Sequence, residues 1–147
     1  MEFYSLNQIL NDLQTICQNH GQISQFRFGS DVDISASEQQ LYPLVWCDIV
    51  GASIAGKVLT VSLLIKTMDI QKADQTNEQD TLSDTLSISQ DIYAALNNPS
   101  FQDYFTINEG VSLDPMREAL PDLVNGWSMT INFELEQIKD RCQIPAA

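Results

Sequence analysis

Residues 127–135 alternate strictly between apolar and polar side chains. The apolar set is Trp127, Met129, Ile131, Phe133 and Leu135, and the polar set is Ser128, Thr130, Asn132 and Glu134. Because successive side chains point to opposite faces of a strand, this segment predicts a β-strand with one dry face and one polar face. Burial of five large apolar side chains contributes on the order of 10 kcal/mol, which is comparable to the net stability of a domain. The dry face must therefore meet a core or a partner.

Two other segments have the period of an amphipathic helix. In residues 3–17 apolar side chains recur every three or four positions, and Gly21 provides a stop signal soon afterwards. A second helix is predicted over residues 80–96, preceded by Thr76 and Gln79, whose spacing is that of a capping box.

The remaining strands are predicted from short apolar runs. A short strand is expected in residues 23–28, and residues 44–50 and 58–70 are apolar on both faces, which predicts a hairpin at the centre of a sheet. Two further short strands are expected in residues 104–108 and 111–113. Segments rich in glycine, proline or polar residues predict a turn at 51–56 and loops at 29–40, 71–80 and 114–125.

This order of elements predicts an α+β fold. The expected sheet is mainly antiparallel with about four to five strands, and the N-terminal helix and the second helix pack on one of its faces. Residues 1–138 are expected to form a single domain. Residues 139–147 are expected to be a C-terminal arm that docks on its own domain or on a neighbour.

The charge balance limits the partners. The chain has 20 acidic and 7 basic residues and a formal net charge of −13. Such a surface repels phosphate backbones and anionic lipid, so neither specific nucleic-acid binding nor a membrane is expected, and solubility alone is a sufficient reason for the charge. No apolar run approaches the roughly 20 residues that cross a bilayer, and the first residues do not resemble a secretory signal. We expect synthesis in the cytoplasm and reduced thiols at Cys17, Cys47 and Cys142.

The sequence offers little catalytic chemistry. His20 is the only histidine and lies at a predicted helix end, where a structural role is favoured. No nucleophile elbow or glycine-rich phosphate loop is present, so an enzyme is not expected, and neither is a cofactor or a metal. The acidic residues include two candidate groups for carboxylate-pair or cation chemistry, but a solvated face is the favoured interpretation. These groups are Asp31 with Asp33, and Asp80 with Asp84 and Asp91.

The order of several short motifs gives a resemblance to a known class of proteins. The motifs are Tyr42-Pro43-Leu44-Val45-Trp46, Met68-Asp69-Ile70 at the end of the long strand, Thr81-Leu82-Ser83-Asp84 at the start of the second helix, Gly126-Trp127-Ser128, and Asp140-Arg141-Cys142-Gln143-Ile144-Pro145. In this order they resemble the small neck and tail-completion proteins, including tail terminators, of tailed bacteriophages. The resemblance extends from about residue 42 to residue 145.

The resemblance implies a structural protein of the virion with an α+β fold and no catalytic residues. Such proteins assemble as rings, of six or twelve copies by resemblance, between portal and tail or at the end of the tail tube. The partners implied are therefore copies of the chain itself and adjacent neck, portal or tail-tube proteins, and the ring is expected to let DNA pass through. The candidate packing or subunit-contact residues are Trp127, Asp140, Arg141, Ile144 and Pro145.

Two alternatives stay open at this point. The first is an acidic protein that mimics DNA and inhibits a host DNA-binding protein; the net charge motivates it, whereas the apolar central hairpin weakens it. The second is an enzyme that uses a carboxylate pair, for which the sequence suggests no substrate.

Overall fold

The computed structural model describes residues 5–29, 41–70, 76–101, 104–119 and 123–136. Within these ranges the protein has two α-helices and one six-stranded sheet. In chain order the elements are α1 (Leu6–Asn19), β1 (Gln25–Phe28), β2 (Leu44–Ala55), β3 (Val58–Ile70), α2 (Glu78–Leu96), β4 (Thr106–Ile107), β5 (Leu113–Ala119) and β6 (Leu123–Glu136). The predicted α+β class is confirmed, with one strand more than expected.

The sheet is antiparallel except at one edge. Its order is β1-β2-β3-β6, with β1 parallel to β2, and the last position is shared by β4 and β5, which pair with opposite ends of β6. The predicted hairpin of β2 and β3 is confirmed, and it closes at Gly56, whose φ of 60° suits a residue without a Cβ. Because β3 lies between β2 and β6, the long apolar strand is central, as its sequence predicts.

The core lies between the sheet and the two helices. The apolar face of β6 supplies Met129, Ile131, Phe133 and Leu135, all of which are buried, so its predicted dry face is the core face. Phe133 also packs edge-to-face against Phe105, with ring centroids 5.2 Å apart. The strand with the clearest alternation in the sequence therefore supplies four side chains to the core.

Helix α1 begins at a capping box that was not predicted from the sequence. The backbone N–H of Gln8 donates to the Ser5 hydroxyl, and the Gln8 side chain accepts from the Ser5 N–H. The helix then buries Ile9, Leu13 and Cys17 against the core. It ends at Asn19, one residue before His20, in agreement with the predicted stop.

Helix α2 begins at Glu78, two residues before its predicted start, and its N-cap is not the predicted one. Asn77 is the N-cap and makes no side-chain capping bond, so the predicted capping box of Thr76 and Gln79 is wrong. Contacts to the sheet hold this end instead: the Asn77 amide donates to the Ile70 carbonyl, and Arg117 on β5 pairs with Glu78. The predicted end of the helix, after Leu96, is confirmed.

Parts of the predicted turn at 51–56 and of the predicted loop at 114–125 are strands, and the latter include the first residues of β6, which begins at Leu123. Residues 51–55 continue β2, and an irregularity between Ile49 and Gly51 lets the strand pass the glycine without losing its pairing to β3. Residues 113–119 form β5, in which Pro115 is tolerated because the strand lies at the outside of the sheet. The two short strands predicted near residue 110 are reduced to β4 and the start of β5, and each pairs with β6 and not with the other.

Candidate interaction surface

The outer side of β2 is open along most of its length. β1 pairs only with the first four residues of the strand, ending at Cys47, and among the described residues no strand pairs with the outer side of residues 48–55. We call residues 49–55, which carry no charged side chain, the open edge. Its inner side pairs with β3 up to the hairpin turn, and no described strand pairs with the backbone groups on its outer side.

Apolar side chains are exposed along the open edge. Ile49 is 40% exposed, Val50 is 60% exposed and Ile54 is 78% exposed. No charged residue occurs between Ile49 and Gly56, although the chain carries a net charge of −13. An uncharged and apolar strand edge is unusual on such an acidic protein, because exposed edges normally carry charges or proline that prevent pairing with other chains.

A bulge bends the open edge near its start. Val50 is the extra residue between the pairs Ile49–Leu63 and Gly51–Ser62, and the Ile49 N–H donates to the Asp48 carboxylate at 2.8 Å. A bulge increases the local twist and redirects the strand. The part beyond it, from Gly51 to the hairpin turn, is therefore the stretch that is best placed to accept another strand.

The opposite side of the sheet differs in its chemistry. Here β5 is the outer strand, and it carries Asp114, Pro115 and Arg117. Proline has no backbone N–H, and charged side chains oppose the approach of another strand. The sheet thus has one side protected by charge and proline and another, at β2, where residues 49–55 carry no charge and no proline.

The face of the sheet away from the helices is divided into two parts. Near the start of β2 it carries a second apolar cluster, in which Trp46 is buried and its indole N–H donates to the Gly29 carbonyl at 2.8 Å. Further along, polar side chains follow, including the Ser62 hydroxyl, which donates to the Asn132 amide oxygen at 2.6 Å. Trp46 is therefore part of this second buried cluster, and the polar face predicted for β6 is present.

Trp127 is the one predicted contact residue that lies within the described residues. It is half-buried on the helix-facing side of β6, and its indole N–H donates to the Leu82 carbonyl of α2 at 2.8 Å. Its packing role is therefore visible, and a role between subunits stays a prediction. The C-terminal arm with Asp140, Arg141, Ile144 and Pro145 lies outside the described residues, as do Asp31 and Asp33.

His20 joins the two helices. Its Nε2 lies 2.8 Å from a carboxylate oxygen of Asp91, and its Nδ1 accepts the Gln22 N–H at 3.1 Å. Because both ring nitrogens are engaged, the ring is not arranged to take a proton from a nucleophile. The His20–Asp91 contact instead ties the end of α1 to α2, which agrees with the predicted structural role.

The acidic residues of α2 and the two described cysteines lie in different environments. Asp80 and Asp84 are exposed on α2, as predicted for a solvated face. Burial raises the pKa of both Cys17 and Cys47 to about 12, so both stay as thiols at neutral pH. Among residues 5–29, 41–70, 76–101, 104–119 and 123–136, no three His, Cys, Asp or Glu residues converge as metal ligands.

The open edge was missed in the sequence because residues 51–56 contain two glycines and were assigned to a turn. The signal that could have revealed it is the uncharged run that begins at Ile49, together with the alternation of Ala52 and Ile54 after Gly51. The sequence matches no known protein family, and no curated protein shows significant similarity to it. In the part of the chain that the structure describes, neither helix combines the length and the apolar character that a membrane span requires.

Proposed function

We propose that this protein is a structural component of a tailed-phage virion that forms a ring in the neck or at the end of the tail tube. Its partners in this role are copies of itself and adjacent neck, portal or tail-tube proteins. It is made in the host cytoplasm and becomes part of the particle. The observation that carries the proposal is the uncharged, apolar open edge of β2 on an otherwise acidic chain.

Electrostatics favours this edge as the place where copies meet. Two chains that each carry a net charge of −13 repel one another, and the repulsion is weakest where no charged side chain lies between them. A strand that adds to an open edge gains main-chain hydrogen bonds, and alternate side chains of the edge supply apolar contacts. Ile54 is well placed for such a contact, since most of its side chain is exposed.

The geometry of a ring requires two different surfaces on each copy. A contact that joins unlike surfaces closes into a ring when its rotation permits, whereas a contact between identical edges stops at a dimer. The open edge supplies one of these surfaces. The second support for the proposal is the order of motifs in the sequence, because the proteins that it resembles are α+β ring components without catalytic residues.

The test is the mass of the purified protein and of two charge variants. The variant Ile54→Lys places a charge on the open edge, while Gln90→Lys adds the same charge to an exposed position on α2. We expect the wild type and Gln90→Lys to form rings of six or twelve copies by mass photometry and negative-stain microscopy. We expect Ile54→Lys to shift toward the monomer at equal concentration and to keep the circular dichroism spectrum of a folded protein, because Ile54 is not part of the core.

Particles provide the second readout. We expect the protein in purified virions, bound at one end of the tail or below the head as seen by antibody labelling. A protein that stays monomeric at high concentration and is missing from virions contradicts the proposal. Capture of a host DNA-binding protein that is released by high salt is the result that the DNA-mimic alternative predicts.

A further inference from the structure

Two fully buried polar side chains lie without partners beneath the first turns of α2. Asn125 on β6 and Thr67 on β3 are both 0% exposed. Neither the amide nitrogen nor the amide oxygen of Asn125 has a hydrogen-bond partner within the described residues, and the same holds for the hydroxyl oxygen of Thr67.

The strand register places these groups on one face. Thr67 pairs with Trp127 and Asp69 pairs with Asn125, so Thr67 and Asn125 are diagonal neighbours on the side of the sheet that faces the helices. The Trp127 indole, which is bonded to the Leu82 carbonyl, marks that side as the one under α2. Diagonal neighbours have Cα atoms roughly 7–8 Å apart, which is a separation that one bridging molecule between two polar side chains can span.

The nearby hydroxyls of α2 do not satisfy these groups. The Thr81 hydroxyl donates to the Asn77 carbonyl at 2.6 Å, and the Thr85 hydroxyl donates to the Thr81 carbonyl at 2.7 Å. Both protons are therefore used within the helix. A buried polar group without a partner costs about 1–3 kcal/mol, so three such atoms amount to a large part of the roughly 5–15 kcal/mol that keeps a domain folded.

We propose that Thr67 and Asn125 form an internal water-binding site between the sheet and α2. Water is the ligand that matches these groups, because it both donates and accepts and so serves the amide nitrogen, the amide oxygen and the hydroxyl together. A cation would leave the amide nitrogen unpaired. Asp69 lies directly opposite Asn125, but no three His, Cys, Asp or Glu residues converge among the described residues to complete a cation site.

The test compares variants that keep or remove the water ligands. Thr67→Val is nearly isosteric and removes the hydroxyl, Thr67→Ser keeps it, and Asn125→Leu removes the amide. We expect Thr67→Val and Asn125→Leu each to lower the folding equilibrium constant by about threefold to tenfold or more, measured by chemical denaturation. In the double variant the combined loss is expected to be smaller than the product of the single losses, because both side chains hold the same water.

Several outcomes would overturn the proposal. A Thr67→Val protein that is at least as stable as the wild type would mean that the hydroxyl binds nothing, and strictly multiplicative losses would mean that the two residues act separately. If Asn125→Leu does not fold, the comparison of Thr67→Val with Thr67→Ser decides, with Ser expected to be the more stable. The melting temperature of the wild type and of Thr67→Val is also measured with added Mg²⁺ or Ca²⁺. A rise in the wild type alone would mean that the site binds a cation and not water.

A crystal structure gives the direct readout. We expect a density peak about 2.7–3.2 Å from the Thr67 hydroxyl, and its absence with both side chains in the described arrangement would refute the site.

Discussion

A methyl group added at Gly126 would clash with the backbone of the neighbouring strand. Gly126 lies on β6 opposite Met68 of β3, and a Cβ added there would lie 1.8 Å from the Thr67 carbonyl oxygen and 2.8 Å from the Thr67 carbonyl carbon. Both atoms belong to the backbone of a central strand, so no side-chain rotation relieves the clash. Gly126→Ala therefore forces β3 and β6 apart by roughly 1.5 Å to reach ordinary contact distances.

The size of the effect follows from the contacts that this separation breaks. Overpacking in a well-packed region costs about 1–3 kcal/mol, and each ladder hydrogen bond that is lost adds about 0.5–1.5 kcal/mol. Loss of one or two such bonds brings the total to about 3–5 kcal/mol. For a chain of this size that corresponds to a fall in melting temperature of roughly 10 °C or more.

A matched control separates the clash from the general effect of replacing glycine. Gly51 also lies in a strand, but a Cβ built there meets nothing within 4 Å. We expect Gly51→Ala to be neutral or slightly stabilising, since alanine restricts the unfolded chain. The assay is urea denaturation of the wild type and both variants, followed by tryptophan fluorescence and circular dichroism. A Gly126→Ala protein within about 0.5 kcal/mol of the wild type would refute the argument, since that is the range of ordinary surface substitutions.

Three other outcomes are expected from the same structure. Phe133→Ala removes a fully buried ring and should cost about 3–5 kcal/mol in denaturant unfolding, whereas a loss below about 1 kcal/mol would contradict its place in the core. Burial raises the pKa of Asp69, so the folded state retains this proton to higher pH than the unfolded chain, and stability falls as pH rises through that interval. Asp69→Asn should therefore be more stable than the wild type at pH 7, with the difference shrinking toward about pH 3 in thermal melts; equal stability at both pH values would contradict this. In a Cys142→Ser variant, Cys17 and Cys47 should react with a thiol reagent at pH 8 only as fast as the protein opens, because their pKa is about 12; reaction at the rate of a free thiol would show that they are accessible.

The strongest local patterns in the sequence were sufficient to predict much of the fold. The alternation of β6, the length of β3 and the helical period of α1 each arise because a side chain must be buried or exposed according to the direction in which its backbone points. These features do not depend on which neighbour covers the apolar face. The α+β class and the placement of both helices on one face follow from their order along the chain.

Features set by pairing with distant residues are not predicted by the local sequence. β5 contains a proline and three charged residues in the part predicted as a loop, and it becomes a strand only because the first half of β6 offers it a partner. The continuation of β2 past Gly51 likewise depends on β3, since the bulge preserves a register that the local sequence does not display. As a result, the open edge, which carries the proposed function, was assigned to a turn.

The sequence by itself determined where the protein is apolar, how its main strands and helices alternate, and that no familiar catalytic motif is present. Only the tertiary structure decided which apolar residues are left uncovered, why Gly126 admits no side chain, and that Thr67 and Asn125 share a buried face. The physical reason is that burial, close approach and hydrogen-bond satisfaction are properties of pairs of residues far apart in the chain. A local pattern shows whether each residue favours burial and which secondary structure it favours, whereas the tertiary fold determines which residues contact one another.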